Sequence, residues 1–241
     1  MSAPAPPTKL PAGVAADSLQ ADLIRQGLSG DLILQVTAYV KAYMAPYDGS
    51  HDFAHILRVV GLSQTLRAQN PARYDRVTTI LATLLHDVGD RKYLLPHQDS
   101  ATLIRDVLLS FGATDEFAEK IQAIASAVSY SAEIKNPQNV RDVIARFPEL
   151  EVVQDADRLD AIGAVGIGRV FTFGGAKGRG MESSLEHFEE KLVKIEGSMK
   201  TELGRKMAKE RTQRLLGFMK MWEEEVNEAE KGLDGLKAVL G

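Results

Sequence analysis

The chain has 241 residues, of which 44% are hydrophobic and 26% charged, as is ordinary for one globular domain with a sizeable core. Its formal net charge of −4 gives no general attraction to nucleic acid, and the lack of cysteine excludes disulfides, thiolate metal ligands and a cysteine nucleophile. We find no secretory signal and no apolar stretch of the roughly 18 to 20 residues that a membrane helix needs. We therefore expect a cytoplasmic protein that binds neither membranes nor nucleic acid.

Helical periodicity dominates the chain, and strand signals are sparse. Residues 1–16 are rich in Pro and Ala, which predicts a flexible leader before a single domain over residues 17–241. Apolar residues then recur at three- and four-residue intervals, and Pro or Gly separates the segments, so the predicted fold is all-α. The predicted helices run over about 32–43, from about 51 to 66, and over about 73–88, 99–111, 114–130 and 148–159.

The C-terminal segment, residues 181–241, is predicted as a long helical extension of the core. It is rich in Glu and Lys, and Leu185, Phe188, Leu192 and Ile195 are spaced for one apolar helix face. Its charged side is a solvated helix face, with a partner surface as the alternative. The length of this amphipathic segment favours a homodimer.

A first group of metal-ligand residue types lies in HDFAHILRV, residues 51–59. His51 and His55 would share one face of a helix that included both, because they are four residues apart. The Asp48-Gly49-Ser50 turn just upstream places His51 at the helix start, so His55 is the better-placed ligand. A lone histidine on a helix is more often structural than a ligand, and His55 needs support from elsewhere.

A second group follows an apolar run, since residues 79–85 lead directly into His86 and Asp87. Burying an imidazole and a carboxylate there is unfavourable unless something satisfies both, and a divalent cation would do so. Adjacent residues of a regular helix diverge by about 100°, so one ion could lie between the two side chains. Gly89 is a place where the backbone could turn away.

A third group lies in VVQDADRLDAIGA, residues 152–164, where Asp155, Asp157 and Asp160 are alternative ligands. Each group alone is weak evidence. Two histidines, an adjacent aspartate and a distant aspartate, each in an apolar helical context, together predict a metal site and therefore chemistry.

The segments HDFAHILRV, LLHDVGDRKY and DADRLDAIGAVGIGRVF resemble the HD-domain superfamily of metal-dependent phosphohydrolases, because three separated motifs occur in the expected order. The resemblance spans most of residues 48–175, which form the motif core, and it is greatest to small HD hydrolases that cleave nucleotide phosphate or pyrophosphate bonds. It implies an HD-domain helical bundle. The metal ligands that it implies are His55, His86, Asp87 and Asp157, the last because it occupies the acidic position before Arg158-Leu159.

The resemblance also implies what surrounds the metal. Two imidazoles and two carboxylates do not select one ion, and Mn²⁺ is favoured, with Co²⁺, Ni²⁺, Fe²⁺, Mg²⁺ and Zn²⁺ as alternatives. Asp90 is expected to orient or deprotonate the attacking water, unless it is an ordinary turn residue. Phosphate needs positive charge, which Arg58 and Lys92 could supply if they are not engaged in salt bridges. Asp160 either contacts substrate or caps the helix that carries Asp157.

The segment 171–180, FTFGGAKGRG, is Gly-rich and basic but lacks the spacing of a P-loop. It is predicted to be a flexible connector, with a mobile lid whose Lys177 or Arg179 meets a polyphosphate as the alternative.

The predicted function is hydrolysis of a small phosphorylated substrate, preferably a nucleotide. An HD-type di-iron oxygenase would need further histidines between Asp87 and Asp157, where only His97 occurs, so a hydrolase with one metal ion is the better match. A regulatory module that keeps the metal without turnover is the alternative outside the enzymes.

Overall fold

The computed structural model describes residues 14–90, 94–96 and 98–240, which form helices and connecting turns without a strand. The first six helices are α1 (Val14–Arg25), α2 (Leu32–Tyr43), α3 (Phe53–Arg67), α4 (Arg76–Leu85), α5 (Leu103–Ser110) and α6 (Asp115–Ser126). The others are α7 (Tyr130–Lys135), α8 (Pro137–Arg146), α9 (Glu149–Asp160), α10 (Gly163–Ala176), α11 (Met181–Glu190), a 3-10 helix (Leu192–Ser198) and α12 (Glu202–Leu240). The prediction of an all-α fold with a long C-terminal helical segment is confirmed.

Helix α4 lies at the centre of the fold. Every residue from Val77 to Leu85 is buried, and α1, α2, α3, α6 and α9 all pack against this helix. A helix that is apolar on most sides is stable only when it is surrounded. Asp75 begins the helix by accepting a 2.7 Å hydrogen bond from the backbone N–H of Thr78. The C-terminal end of α4 delivers His86 directly from the core.

Helices α3 and α9 pack against each other between two hydrophobic cores. Ile56 of α3 and Val153 of α9 belong to the core built around α4. Val59 of α3 and Val152 of α9 belong to a second core, which α11, the 3-10 helix and α12 complete. The two helices are therefore held from both sides, which fixes the polar residues that they carry.

An aromatic cluster joins the last three α-helices to one another. It consists of Phe171, Phe188, Phe218 and Trp222, whose neighbouring ring centroids lie 5.4 to 5.9 Å apart. Phe188 is fully buried at 0% exposure. Such ring contacts add to the stabilisation that burial provides.

We expect Phe188→Ala to lower the free energy of unfolding by about 3–5 kcal/mol, because it leaves a cavity in this cluster. Leu34→Ala is the control, because Leu34 is 69% exposed and its loss should change stability by less than about 0.5 kcal/mol. Denaturant titrations of both variants measure the difference. Equal stability of the two variants would contradict the role given to the cluster.

Two of the predicted helices are shorter in the structure. The helix predicted over 73–88 ends at Leu85, so His86 and Asp87 lie in a turn. The helix predicted over 114–130 ends at Ser126, and α7 and α8 follow it. The asparagine cap and Pro at the start of α8 are ordinary signals for a helix beginning, and they went unused in the prediction.

The Gly-rich segment 171–180 is also different from its prediction, because residues 171–176 are part of α10 and not a flexible connector. Gly174 packs against Ser184 of α11, where an added Cβ would collide with the hydroxyl oxygen. Because Gly174 has no side chain, α10 and α11 can pack closely at this point. Only residues 177–180 form a turn before α11.

The predicted leader, residues 1–16, lies mostly outside the described ranges, and its boundary stays a prediction. The first described helix begins at Val14. None of the helices described is both long and apolar enough to cross a membrane.

Candidate metal centre

The four side chains predicted as metal ligands meet at one point between α3, α4 and α9. The Nε2 atoms of His55 and His86 lie 3.3 Å apart. Asp87 places its carboxylate oxygens 3.3 Å from His55 Nε2 and 3.5 Å from His86 Nε2. Asp157 Oδ1 lies 3.6 Å from each of these two nitrogens. One metal-ligating atom from each of His55, His86 and Asp157 lies within 4.8 Å of the other two, which is close enough for the three to bind one metal ion.

Local structure explains how each ligand reaches this point. His55 is the third residue of α3, whose first turn is capped by Asp52 through a 3.0 Å hydrogen bond from the backbone N–H of His55. His86 and Asp87 occupy the turn after α4, which lets two adjacent side chains face one position. Gly89 ends this turn with a φ of +86°, a left-handed conformation that favours glycine. Its N–H donates to the Tyr43 hydroxyl at 3.2 Å.

Hydrogen bonds fix the tautomers of both histidines. His86 Nδ1 lies 2.7 Å from the carbonyl oxygen of Thr83, which can only accept, so this nitrogen carries the proton. His55 Nδ1 lies 2.8 Å from the carboxylate of Asp160 and likewise donates. Each ring therefore turns its Nε2 toward the other, and this is the nitrogen that would bind a metal ion once it is free of a proton. Hydrogen bonds from the ring nitrogen that points away from the metal are what orient metal-binding histidines.

The site consequently presents electron pairs without donors to match them. Two imidazole nitrogens and two carboxylates converge, and the buried Oδ2 atom of Asp87 has no hydrogen-bond partner among the described residues, although His55 Nε2 lies 3.3 Å away. Buried acceptors without partners are costly, and a divalent cation satisfies all of them together. The residues present therefore fit a metal ion.

Without a metal ion, a proton on His86 supplies positive charge to the site. Burial alone would lower the pKa of His86, but the carboxylates of Asp87 and Asp157 more than offset burial and raise that pKa to about 9. Burial would raise the pKa of Asp87, yet the neighbouring His86 and His55 hold it well below its ordinary range. Asp157 is shifted in the same direction, chiefly by His86 acting against burial. The pocket stabilises positive charge at its centre.

The carboxylates lie on the open side of the site. The side chains of His55 and His86 are 0% and 1% exposed, whereas those of Asp87 and Asp157 are 19% and 27% exposed. A substrate can therefore approach on the side of the two aspartates, while the histidines form the floor.

Asp160 supports the site from beneath and is itself only 1% exposed. Besides the bond to His55, its carboxylate accepts from Arg58 Nε at 2.8 Å and Nη2 at 3.0 Å. Arg169 Nη1 donates to it at 3.2 Å, and Arg169 Nε donates to the carbonyl oxygen of Ser50 at 2.6 Å. Burial opposes ionisation, but the bonds to His55 and Arg58 lower the pKa of Asp160 well below its usual range.

These contacts make Asp160 a positioning residue for His55, and we expect Asp160→Asn to weaken metal affinity about 10- to 100-fold. The control is Asp155→Asn on the same helix. Asp155 is equally buried, but it accepts from the N–H groups of Lys200 and Thr201 at 2.8 and 2.7 Å instead. Calorimetric titration with Mn²⁺ should distinguish the two variants. If Asp155→Asn weakens metal binding as much as Asp160→Asn, the effect of Asp160 is general destabilisation.

The remaining predicted residues have different positions. Asp90 follows Gly89 and is partly buried, and it acts with Asp87, after burial and Tyr43, to raise the pKa of Tyr47. The backbone N–H of Asp90 donates to the carbonyl oxygen of Asp87 at 3.4 Å, which keeps the backbone of Asp90 beside that predicted ligand. The side chain of Arg58 is 36% exposed although it is paired with Asp160. Lys92 and His97 lie outside the described residues, so the phosphate contact predicted for Lys92 stays a prediction.

Sequence reasoning left two residues near the site without a role. His51 precedes α3, its ring centroid lies 6.1 Å from that of His55, and its Nδ1 lies 2.7 Å from Ser50 Oγ. Arg169 reaches Asp160 and Ser50 from α10, more than a hundred residues from Ser50 in the chain. Arg169 belongs to the motif segment DADRLDAIGAVGIGRVF, but no pattern in the sequence links it to Asp160.

Comparisons with known proteins agree with this geometry. A family model for the HD domain matches residues 52–162, a segment that contains all four predicted ligands. The protein YpgQ of Bacillus subtilis (strain 168) is 34% identical over 199 residues, which are 80% of this chain and 92% of that protein.

Two crystal structures are similar in fold over most of the chain. The structure of Bacillus subtilis YpgQ in complex with ADP matches with a TM-score of 0.66 and 33% identity, covering 80% of this chain and 97% of that one. An HD-superfamily hydrolase from Bacillus thuringiensis matches with a TM-score of 0.61 and 31% identity, covering 81% and 96%.

Proposed function

The chain belongs to the HD-domain superfamily, and on that basis we propose that it is a metal-dependent phosphohydrolase that cleaves a phosphate or pyrophosphate bond of a nucleotide. The observation that carries the proposal is the facing pair of Nε2 atoms of His55 and His86, with the carboxylates of Asp87 and Asp157 beside them. These four residues would hold the ion, and Mn²⁺ is our first choice.

A divalent ion at this position would supply Lewis acidity, which activates a water molecule and offsets the charge of a phosphoryl group. The protein's own residues perform the other tasks. We propose that Asp90, whose backbone N–H donates to the carbonyl oxygen of Asp87, orients the attacking water and accepts its proton. Arg58 faces the same site with a half-buried guanidinium that the carboxylate of Asp160 holds in place. It would contact a phosphate oxygen of the substrate.

Asp160 has a different role in this proposal from the substrate contact that the sequence suggested. Its oxygens already accept from His55, Arg58 and Arg169, and its residue is 1% exposed. We propose that it positions one metal ligand and one phosphate-binding arginine at once.

The proposal that the substrate is a nucleotide is supported by the YpgQ structure, which contains ADP. A nucleotide also suits a site that combines a metal position with an arginine, because its phosphates can contact both. That the protein works in the cytoplasm stays a prediction from its composition.

The test is the release of phosphate and of pyrophosphate, measured separately, from a panel of nucleoside mono-, di- and triphosphates with Mn²⁺. We expect metal-dependent turnover of at least one member, and the product identifies the bond that is cleaved. No turnover of any member with metal bound would favour the regulatory module. Two irons per chain with consumption of oxygen would favour the oxygenase and overturn the proposal.

A further inference from the structure

Helix α12 projects well beyond the body of the protein. It has 39 residues, and its first part packs against α9, α10 and the 3-10 helix through buried residues such as Ala208 and Leu215. Among the described residues, its ring contacts with the body end at Trp222, whose ring stacks on Phe171 with the centroids 5.4 Å apart. The described side chains from Glu223 to Leu240 are all exposed. At 1.5 Å per residue, this free part is about 27 Å long.

An apolar seam follows the helix from the buried part into the free part. Apolar residues alternate at intervals of four and three, the seven-residue repeat of a coiled coil. The a positions of this repeat are Met219, Val226, Leu233 and Leu240, and the d positions are Leu215, Trp222, Ala229 and Leu236. The inner end of the seam packs within the chain, whereas the described side chains of its outer end are exposed.

Exposure to water of the apolar residues in the free part of the seam is energetically unfavourable. Val226, Leu233, Leu236 and Leu240 are 42%, 53%, 60% and 83% exposed. The same part contains two glycines, each of which weakens a helix interior by about 1 kcal/mol relative to alanine. Isolated helices of this length are marginal in water and depend on packing of their apolar face. A partner helix would supply that packing.

We propose that the partner is the same segment of a second copy of this chain, packed antiparallel. Pairing Val226 with Leu236 of the partner subunit also brings Ala229 opposite Leu233 of the partner subunit, and the reverse pairs follow by symmetry. Trp222 then lies opposite Leu240 of the partner subunit, so every a position of the free part meets a d position. The two bodies lie at opposite ends of this short coiled coil, and both metal sites stay accessible.

The charges beside the seam favour this direction over a parallel one. Glu223 and Lys237 both occupy e positions. In an antiparallel pair e positions flank each other, so Glu223 meets Lys237 of the partner subunit at both ends of the interface. In a parallel pair e positions face g positions, which are Phe218 for Glu223 and Gly232 for Lys237. Glu230, at the third e position, meets an acidic residue in either arrangement, its own counterpart in the antiparallel pair and Glu225 in the parallel pair. Only the antiparallel arrangement gives Glu223 and Lys237 partners of opposite charge.

The first test is the mass of the full chain in solution by sedimentation equilibrium. We expect a dimer that Leu236→Glu dissociates, with the dissociation constant raised by at least about tenfold, because the charge would be buried in the seam. Leu34→Glu makes the same change on an exposed leucine of α2 and should leave the dimer intact. Both variants should keep the metal content of the wild type, so this test is independent of the hydrolase activity. A wild-type monomer at every concentration would overturn the proposal.

The second test determines the direction of the two helices. Lys237→Glu should weaken the dimer, and adding Glu223→Lys should restore it, since both pairs regain opposite charges. The chain has no cysteine, so a disulfide can form only between cysteines that are introduced by substitution. Ala229→Cys mixed with Leu233→Cys should form a disulfide between the two variants. Disulfides of Ala229→Cys with itself, and none in the mixture, would show a parallel dimer and refute the antiparallel interface.

Discussion

Replacing His86 by alanine should abolish tight metal binding and reduce nucleotide hydrolysis by on the order of 10³-fold. His86 is one of two imidazoles whose Nε2 atoms face each other at 3.3 Å, and its proton is held on Nδ1 by the carbonyl of Thr83. No other described side chain could take over that position, since His55 and the two carboxylates already occupy the other sides. Metal content by elemental analysis and product release from the nucleotide panel measure the two effects.

Misfolding has to be separated from loss of the ligand in this experiment. His86 follows the buried helix α4, so the helical content of His86→Ala should be compared with that of wild type by circular dichroism. Thermal melts with and without Mn²⁺ complete the control. Wild type should melt at a higher temperature when metal is present, because a ligand that binds only the folded state stabilises it. The variant should show no such shift. A variant that keeps both its metal and its turnover would remove His86 from the site.

Replacing Asp90 by asparagine should lower kcat by about 10²- to 10⁴-fold while the metal content stays near that of wild type. Asparagine keeps the size of the side chain but cannot accept a proton from water. Asp90 lies after the left-handed turn at Gly89, and we propose that it is not one of the four side chains that hold the metal. Metal affinity and turnover should therefore separate in this variant.

Asp106→Asn is the matched control for Asp90→Asn. The side chain of Asp106 is 54% exposed and pairs with Arg105 on the surface, so its turnover should equal that of wild type. If Asp90→Asn loses its metal along with its activity, Asp90 supports the structure of the site and is not the proton acceptor. A normal kcat in Asp90→Asn would assign the proton transfer to another group.

Much of the fold could be predicted from the sequence because its helices carry clear periodic signals. The bounds of α2 agree with the periodicity that ends before Pro46, and the apolar run of α4 predicts a buried helix. The short helices α7 and α8 were missed, since they have few buried residues and are defined mainly by their caps at Ser129 and Asn136. A cap is a local feature that periodicity does not detect.

The support of the metal site could not be predicted, because it depends on tertiary contacts. His86 donates to a carbonyl oxygen three residues back, which any helix end could offer. The bond from His55 to Asp160 joins residues 105 positions apart, and those from Arg58 and Arg169 to the same carboxylate become visible only in three dimensions. Asp155, Asp157 and Asp160 looked alike in the sequence. They differ because α9 directs each of them toward a different neighbour.

The different neighbours of the three aspartates on α9 link the metal site to the C-terminal region. Asp157 and Asp160 face the histidines, whereas Asp155 accepts from Lys200 and Thr201 at the start of α12, and Arg158 donates to Ser198 and pairs with Glu133. Both sets of bonds start from α9 within six residues, so the contacts of residues 198–201 help to hold the helix in the orientation that aims Asp157 at the metal position. A genetic selection for altered metal dependence should accordingly yield substitutions in this distant loop as well as among the ligands.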